Sequence, residues 1–363
     1  MSGTIIDDDQ ASSGTAEHVA DKVLAAALGW VDLMAIHLGS QLGWYAALTA
    51  VGPMDSEELA TATGTSERYA REWLEQQCLS GILRQVPSRG GRAAFALVPG
   101  AAEVLTDASS MSYLEPLARM LAASAHRIPQ LVEAYRSGTG VSWEDFGRHA
   151  RESQADMNRP WFTAMPQKLQ EVERIHTRLS APGARVADIG TGAGWSAIAL
   201  AREYPSLRVE GFDVDRCSLE DAEANAADAG VGDRVSFHLV DAADLADHGP
   251  FDAVFAFECL HDMPHPIEVL AAARAAVTPE GVVVVMDEAA ADEFDTGAGD
   301  LERLLYGFSL FVCLPDGMSH PNSVGTGTVM RHDTLRAYAR EAGWKDAEVV
   351  VPEFGLWRFY LLS

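Results

Sequence analysis

The sequence predicts a chain in two parts: an N-terminal all-α module ending in a winged helix, then an α/β, Rossmann-like doubly wound sheet with a closing antiparallel hairpin. Three observations carry this. Apolar residues recur at helical spacing from about His18. After Pro182 the rhythm changes to short apolar or β-branched runs that alternate with Ala-rich helices. A glycine-rich turn joins the first of those runs to a helix. Apolar spacing near 3.6 marks helices with one buried face, and strand–helix alternation implies parallel strands joined by crossovers. The 363 residues, 48% hydrophobic and 22% charged, are enough for two globular domains.

Met1 to Ala16 is small, polar and acidic without periodicity, and residues 1–16 are expected to form a disordered tail. Residues 17–108 are expected to form the winged-helix domain. Val23, Leu24, Ala27, Leu28 and Val31, then Leu42, Trp44, Tyr45 and Leu48, read as helices of a buried bundle. Ser56 ahead of Glu57-Glu58-Leu59-Ala60 starts a short helix that Gly64 closes, and Ser66 starts a second one through Trp73 to Leu79. Gly81 to Val86 and Ala93 to Leu97 then pair as a hairpin across the turn-rich Pro87 to Gly91. Such a helix-turn-helix can bind DNA, but Arg68 and Arg71 on the second helix sit among Glu67, Glu72 and Glu75. Recognition helices need uncompensated base, so dimerisation or covering of a substrate is the expected role. Residues 109–178 read as a helical connector, and residues 179–363 as the sheet domain. Its strands are expected at Arg185–Ile189, Arg208–Phe212, Val235–Leu239, Ala253–Phe257 and Gly281–Met286, with a closing hairpin of Ala347–Val351 and Leu356–Leu361.

The 27 basic and 53 acidic residues give a net charge of -26, which repels phosphate backbones and argues against a nucleic-acid partner. Cys78, Cys217, Cys259 and Cys313 are scattered and form no Cys-x-x-Cys or Cys/His cluster, as expected of a reducing cytoplasm and of a chain without a structural metal. The longest strongly apolar run, Val282 to Met286, is strand-sized, so no membrane span is expected. The acidic start, Asp7-Asp8-Asp9, is unlike a signal peptide.

The chemistry centres on Asp188-Ile189-Gly190-Thr191-Gly192-Ala193-Gly194-Trp195, a strand end, a glycine turn and a helix start. Open sheets bind ligands at such ends. The dinucleotide pattern would put its third glycine where Trp195 stands, so a nicotinamide cofactor is a poor match. Asp213 with Val214, and Asp241 with Ala242, follow the second and third strands, and an acid at the second strand end can accept hydrogen bonds from ribose hydroxyls. Each acid taken alone reads more simply as a solvated loop residue. Phe257-Glu258-Cys259-Leu260-His261-Asp262 follows the fourth strand, and the imidazole of His261 can take a proton at neutral pH. Glu258 is placed to orient or support it, or to face the acceptor. His261 and His265 have a metal-like i, i+4 spacing, but Pro264 and Pro266 disfavour a helix through the pair. His320 is a weaker acid/base candidate, read first as a loop residue. Asp287 to Glu293 reads most simply as a solvated acidic loop that could also face the cavity, and the aromatic stretch Leu304 to Pro315 as either a pocket wall or core.

The Asp-x-Gly-x-Gly-x-Gly turn, the acids at successive strand ends and Leu260-His261-Asp262 resemble the class I S-adenosylmethionine-dependent methyltransferases. Within them they resemble the small-molecule O-methyltransferase-like branch, with an N-terminal winged-helix dimerisation domain of actinobacterial type. Gly325-Thr326-Gly327-Thr328-Val329-Met330-Arg331 and Trp357-Arg358-Phe359-Tyr360 extend the likeness. The resemblance implies S-adenosyl-L-methionine as co-substrate and no metal. It implies a cofactor site of Asp188, Gly190, Thr191, Gly192, Gly194, Asp213, Val214, Asp241, Ala242 and Phe257. It also implies His261 as general base with Glu258, a homodimer, and a small aromatic or apolar acceptor methylated on oxygen, with carbon or nitrogen left open. The alternative is a ligand-responsive DNA-binding regulator with a methyltransferase-like sensor domain.

Overall fold

The structure is a computed structural model that describes residues 14–87 and 93–363. The tail up to residue 13 and the hairpin turn from Ser88 lie outside the described residues. The chain forms two compact units, Met1–Ala122 and Ala123–Ser363, and the division falls inside the stretch expected as a connector.

In the first unit a 26-residue helix, Ala16–Gln41, precedes the helices Trp44–Val51, Ser56–Thr63 and Glu67–Leu79. Strands β1 (Leu83–Pro87) and β2 (Ala93–Leu97) then pair antiparallel, completing the winged helix. Asp55, one residue before the expected Ser56, caps the Ser56–Thr63 helix and shares a capping box with Glu58. Trp44, Tyr45, Leu59, Trp73 and Leu74 form the unit's core. The long first helix departs from the buried bundle read from its periodicity. Gly39 is its one buried residue, while Val19, Val23, Leu24, Leu28, Trp30 and Val31 are exposed within the chain. By length and composition this helix could also cross a membrane, which corrects the reading that no stretch is long enough. Asp32 and His37 interrupt the apolar run, yet the Ala, Leu and Val around them keep the segment apolar.

The second unit is built on a seven-stranded sheet ordered β5-β4-β3-β6-β7-β9-β8. The strands are β3 (Arg185–Ile189), β4 (Arg208–Asp213), β5 (Val235–Leu239), β6 (Phe251–Phe257), β7 (Val277–Glu288), β8 (Ala347–Phe354) and β9 (Trp357–Leu362). Strands β3 to β7 are parallel, and β9 runs antiparallel between β7 and β8. Alternate side chains serve two cores, as the two-residue period of a strand buried on both faces requires. Val186, Phe255, Val284 and Phe359 face one side; Ala187, Val254, Val283 and Tyr360 face the other. Because β4 and β5 extend one way from β3 while β6 and β7 extend the other, the order reverses between β3 and β6. That switch point leaves a crevice beyond the carboxyl ends of these two strands.

Candidate active site

The glycine turn occupies the crevice. Asp188 ends β3 fully buried, and its Oδ2 accepts hydrogen bonds from Thr191 Oγ1 at 2.7 Å and Ser196 Oγ at 2.6 Å, tying the turn to the Trp195–Glu203 helix. Its Oδ1 has no partner, and burial pushes its carboxyl up to about 6. Gly190, Gly192 and Gly194 all have positive φ. At Gly190 a Cβ would come within 2.6 Å of Cys259 Cβ, so the turn and the chain leaving β6 are in contact. At Gly192 a Cβ would meet nothing within 4 Å, so this part of the turn is open to a ligand.

Asp213, at the end of β4, accepts from Gly192 N and from Asp215 N, both at 2.8 Å, and burial raises its pKa. Val214 beside it is exposed. Asp241 caps the short 3-10 helix Ala242–Asp247 through Ala243 N at 2.9 Å, with Ala242 buried. Phe257 is core: its ring stacks on Phe255 at 4.9 Å and lies 5.9 Å from Phe162.

Glu258 leaves β6 in the left-handed region, φ 53, which is uncommon for a non-glycine residue. Its Oε1 accepts from Gln154 Nε2 at 3.3 Å and its Oε2 from Asn158 Nδ2. Both amides lie on the Arg148–Gln170 helix, four residues apart and so on one face. Arg151, one turn earlier on that helix, reaches Asp215 Oδ2 at 3.5 Å. Burial pushes the Glu258 carboxyl up to about 7 against the opposing pull of His261 and Asn158.

His261 is 2% exposed. Its Nδ1 lies 2.8 Å from Asp287 Oδ1 and 3.1 Å from Glu288 Oε2, and its Nε2 lies 3.3 Å from Asp262 Oδ1. Burial opposes charge on this ring, but the carboxylates of Asp262, Asp287 and Glu288 outweigh it and hold its pKa well above 6.5. Burial likewise disfavours charge on Asp287 and Glu288. Beside the imidazole Asp287 is nevertheless held below the usual carboxylate range, whereas Glu288 stays well above it. The reading of Asp287 to Glu293 as a solvated loop is therefore corrected for its first two residues, which are buried at the end of β7. His265 occupies the N-cap position of the Pro266–Ala276 helix without a capping side-chain bond, and His320 is exposed. His261, Asp287 and Glu288 offer donor atoms within 4.8 Å of one another, a spacing a metal ion could also use.

The aromatic stretch forms the helix Gly299–Phe308, a π-helical turn Ser309–Cys313 and the helical turn Leu314–Gly317. The core reading holds in part: Leu305, Val312 and Cys313 are buried, whereas Tyr306, Leu310 and Phe311 are exposed.

Comparison with known proteins agrees with this architecture. Residues 180–309 match the family described as Methyltransferase domain, and residues 30–107 match the Rv2258c-like winged HTH domain. The chain thus carries a methyltransferase domain preceded by a winged helix-turn-helix domain. Among curated relatives, 27-O-demethylrifamycin SV methyltransferase of Amycolatopsis mediterranei is 32% identical over 168 residues, which cover 44% of this chain and 54% of that protein. The chain thus spans about half the length of this relative, and less of others. The mitomycin 7-O-methyltransferase MmcR shares the fold at a TM-score of 0.70 and 22% identity, covering 97% of this chain and 99% of MmcR. NcsB1, an O-methyltransferase from neocarzinostatin biosynthesis solved with S-adenosylmethionine and 2-hydroxy-5-methyl naphthoic acid, matches at a TM-score of 0.60 and 20% identity, covering 91% and 95% of the two chains.

Proposed function

We propose that this protein transfers a methyl group from S-adenosylmethionine to a small aromatic or apolar metabolite, with oxygen the favoured nucleophile. The observation that carries this is the acid-lined crevice at the switch point. Asp188, Asp213 and Glu258 surround the glycine turn, each with its pKa raised by burial. Phosphates would add charge of the same sign, whereas a ligand with ammonium and sulfonium groups supplies the opposite one. The residues present fit that ligand. Asp188 Oδ1 is buried without a partner, Gly192 leaves open space, and the Asp213 carboxylate, with up to four acceptor positions, uses two on the backbone and keeps capacity for ribose hydroxyls.

When bound, S-adenosylmethionine supplies an electrophilic methyl: the acceptor's lone pair forms the new bond to carbon while the carbon–sulfur pair stays on sulfur. The protein's part is to hold the two in line and to remove the acceptor's proton. His261 is the proposed base. Asp287 at its Nδ1 fixes the ring's orientation, the logic by which an acid orients a catalytic imidazole, and Nε2, which faces Asp262 Oδ1 at 3.3 Å, is the nitrogen that would receive the proton. Glu258 supports it from the β6 end. Asp188, Gly190, Thr191, Gly192, Gly194, Asp213, Val214, Asp241, Ala242 and the Phe257 main chain form the proposed donor site.

We further propose a cytoplasmic homodimer joined through the exposed apolar face of the Ala16–Gln41 helix. The four unpaired cysteines suit a reducing compartment. The DNA-binding alternative is not favoured, because Arg68 and Arg71 pair with Glu72 and Glu67 of their own helix. The experiment that tests the function is incubation with methyl-labelled S-adenosylmethionine and a metabolite extract of the producing cell. A labelled small molecule 14 Da heavier than its precursor is expected. Labelled donor consumed without such a product would overturn methyl transfer.

A further inference from the structure

One carboxylate has more built around it than support of a base requires. Glu258 sits where β6 ends in a left-handed residue, and its next neighbour Cys259 touches the glycine turn at Gly190. Cys259 Sγ also bonds Ile189 O at 3.2 Å, fixing the β6 exit against the β3 exit. A ligand seated on the glycine turn therefore lies beside Glu258. Each carboxylate oxygen is held by a side-chain amide, Oε1 by Gln154 and Oε2 by Asn158. These two neutral donors come from one face of the Arg148–Gln170 helix.

The charged groups that act on Glu258 from the loops are His261, Asp262 and Asp287. Asp262 lies 3.3 Å from His261 Nε2 and Asp287 lies 2.8 Å from His261 Nδ1. On the helix side, Arg151 is engaged with Asp215, and Arg159 lies over the Trp195 ring at 4.1 Å. Among the described residues His261 is the positive group that acts on Glu258, and a cationic ligand in the crevice would be a second.

We propose that Glu258, held by Gln154 and Asn158, is the counter-charge to the donor's sulfonium, so that the site binds the charged donor more tightly than the neutral-sulfur product. The inference rests on the methyl-donor reading above and adds to it a residue that tells donor from spent donor. S-adenosylmethionine and S-adenosylhomocysteine differ at the sulfur by one methyl group and one positive charge, so a carboxylate nearby separates them electrostatically. Loss of that charge on transfer releases the product from the same contact. Gln154 and Asn158 are positioning residues: they donate to the ionised carboxylate, which stabilises that form and fixes where it points.

The test is calorimetric titration of the full-length protein with S-adenosylmethionine and, separately, with S-adenosylhomocysteine. Glu258→Gln keeps shape and removes charge. It is expected to weaken the donor roughly tenfold, about 1.4 kcal/mol, and to leave the product's affinity within about twofold. Asn158→Ala is expected to shift the donor-to-product ratio in the same direction by a smaller factor, with Gln154→Ala smaller again. Equal weakening of both ligands, or no change in either, would overturn the counter-charge role while leaving the donor site standing. A wild-type protein that binds neither ligand would overturn the donor reading itself and the inference with it.

Discussion

His261, the proposed base, sits among carboxylates that favour its protonated form. Its imidazole gains more from the carboxylates of Asp262, Asp287 and Glu288 than it loses by burial, so its pKa lies well above 6.5. The proton-accepting form grows as pH rises through the raised value. The rate of methyl transfer per bound donor should therefore increase with pH and level off above the ordinary histidine range. A profile already level below pH 6.5 would remove His261 from the base role. His261→Ala should cost roughly 10²- to 10⁴-fold in kcat with donor affinity nearly unchanged, measured by single-turnover rates beside calorimetry. Asp287→Asn should also lower the rate, because an amide in place of the carboxylate can present its N–H₂ to Nδ1 and withdraws the charge that favours the imidazolium.

The strands were legible because each carries its own signal, and the buried carboxylates were not because theirs lies elsewhere in the chain. Asp287 and Glu288 open a run of acids and alanines that reads as solvated. They are interior because β7 continues through them, paired with Arg358 and Trp357 of β9, some 70 residues later in sequence. Gln154 and Asn158 had no motif to mark them. Their spacing puts them on one helix face, but their common target Glu258 is a hundred residues away. Asp188, Gly190 and His261 stand out in the sequence because a glycine turn and a Leu-His-Asp run are local patterns. The β8–β9 hairpin shows the same division. Its strands were expected, but its turn rests on Gly355, φ 63, where a Cβ would come within 2.4 Å of the Trp161 ring. That ring packs edge-on against Phe354 and Trp357 at 5.5 and 5.2 Å, so it has little room to yield. Gly355→Ala should destabilise the protein by about 1–3 kcal/mol, seen as a lower denaturation midpoint with an unchanged m value.

At the scale of the whole molecule, a net charge of -26 coexists with a long helix whose apolar face is exposed. Exposed apolar surface on this scale marks an interaction site. Light scattering at micromolar concentration should report a dimer, and Leu24→Glu with Leu28→Glu should convert it to monomer. A wild-type monomer that floats with lipid vesicles would instead assign the helix to a membrane surface. The contact between the glycine turn and the β6 exit carries a further consequence for anyone who wishes to redirect this scaffold to new substrates. Gly190 and Cys259 touch, and Cys259 lies between Glu258 and the loop that bears His261. Enlarging a side chain in that loop would press on the glycine turn, the proposed seat of the donor, as well as on the proposed acceptor side. The helical segment Gly299–Gly317 is a safer place for a combinatorial library, since Tyr306, Leu310 and Phe311 there are exposed and can be varied without moving the glycine turn.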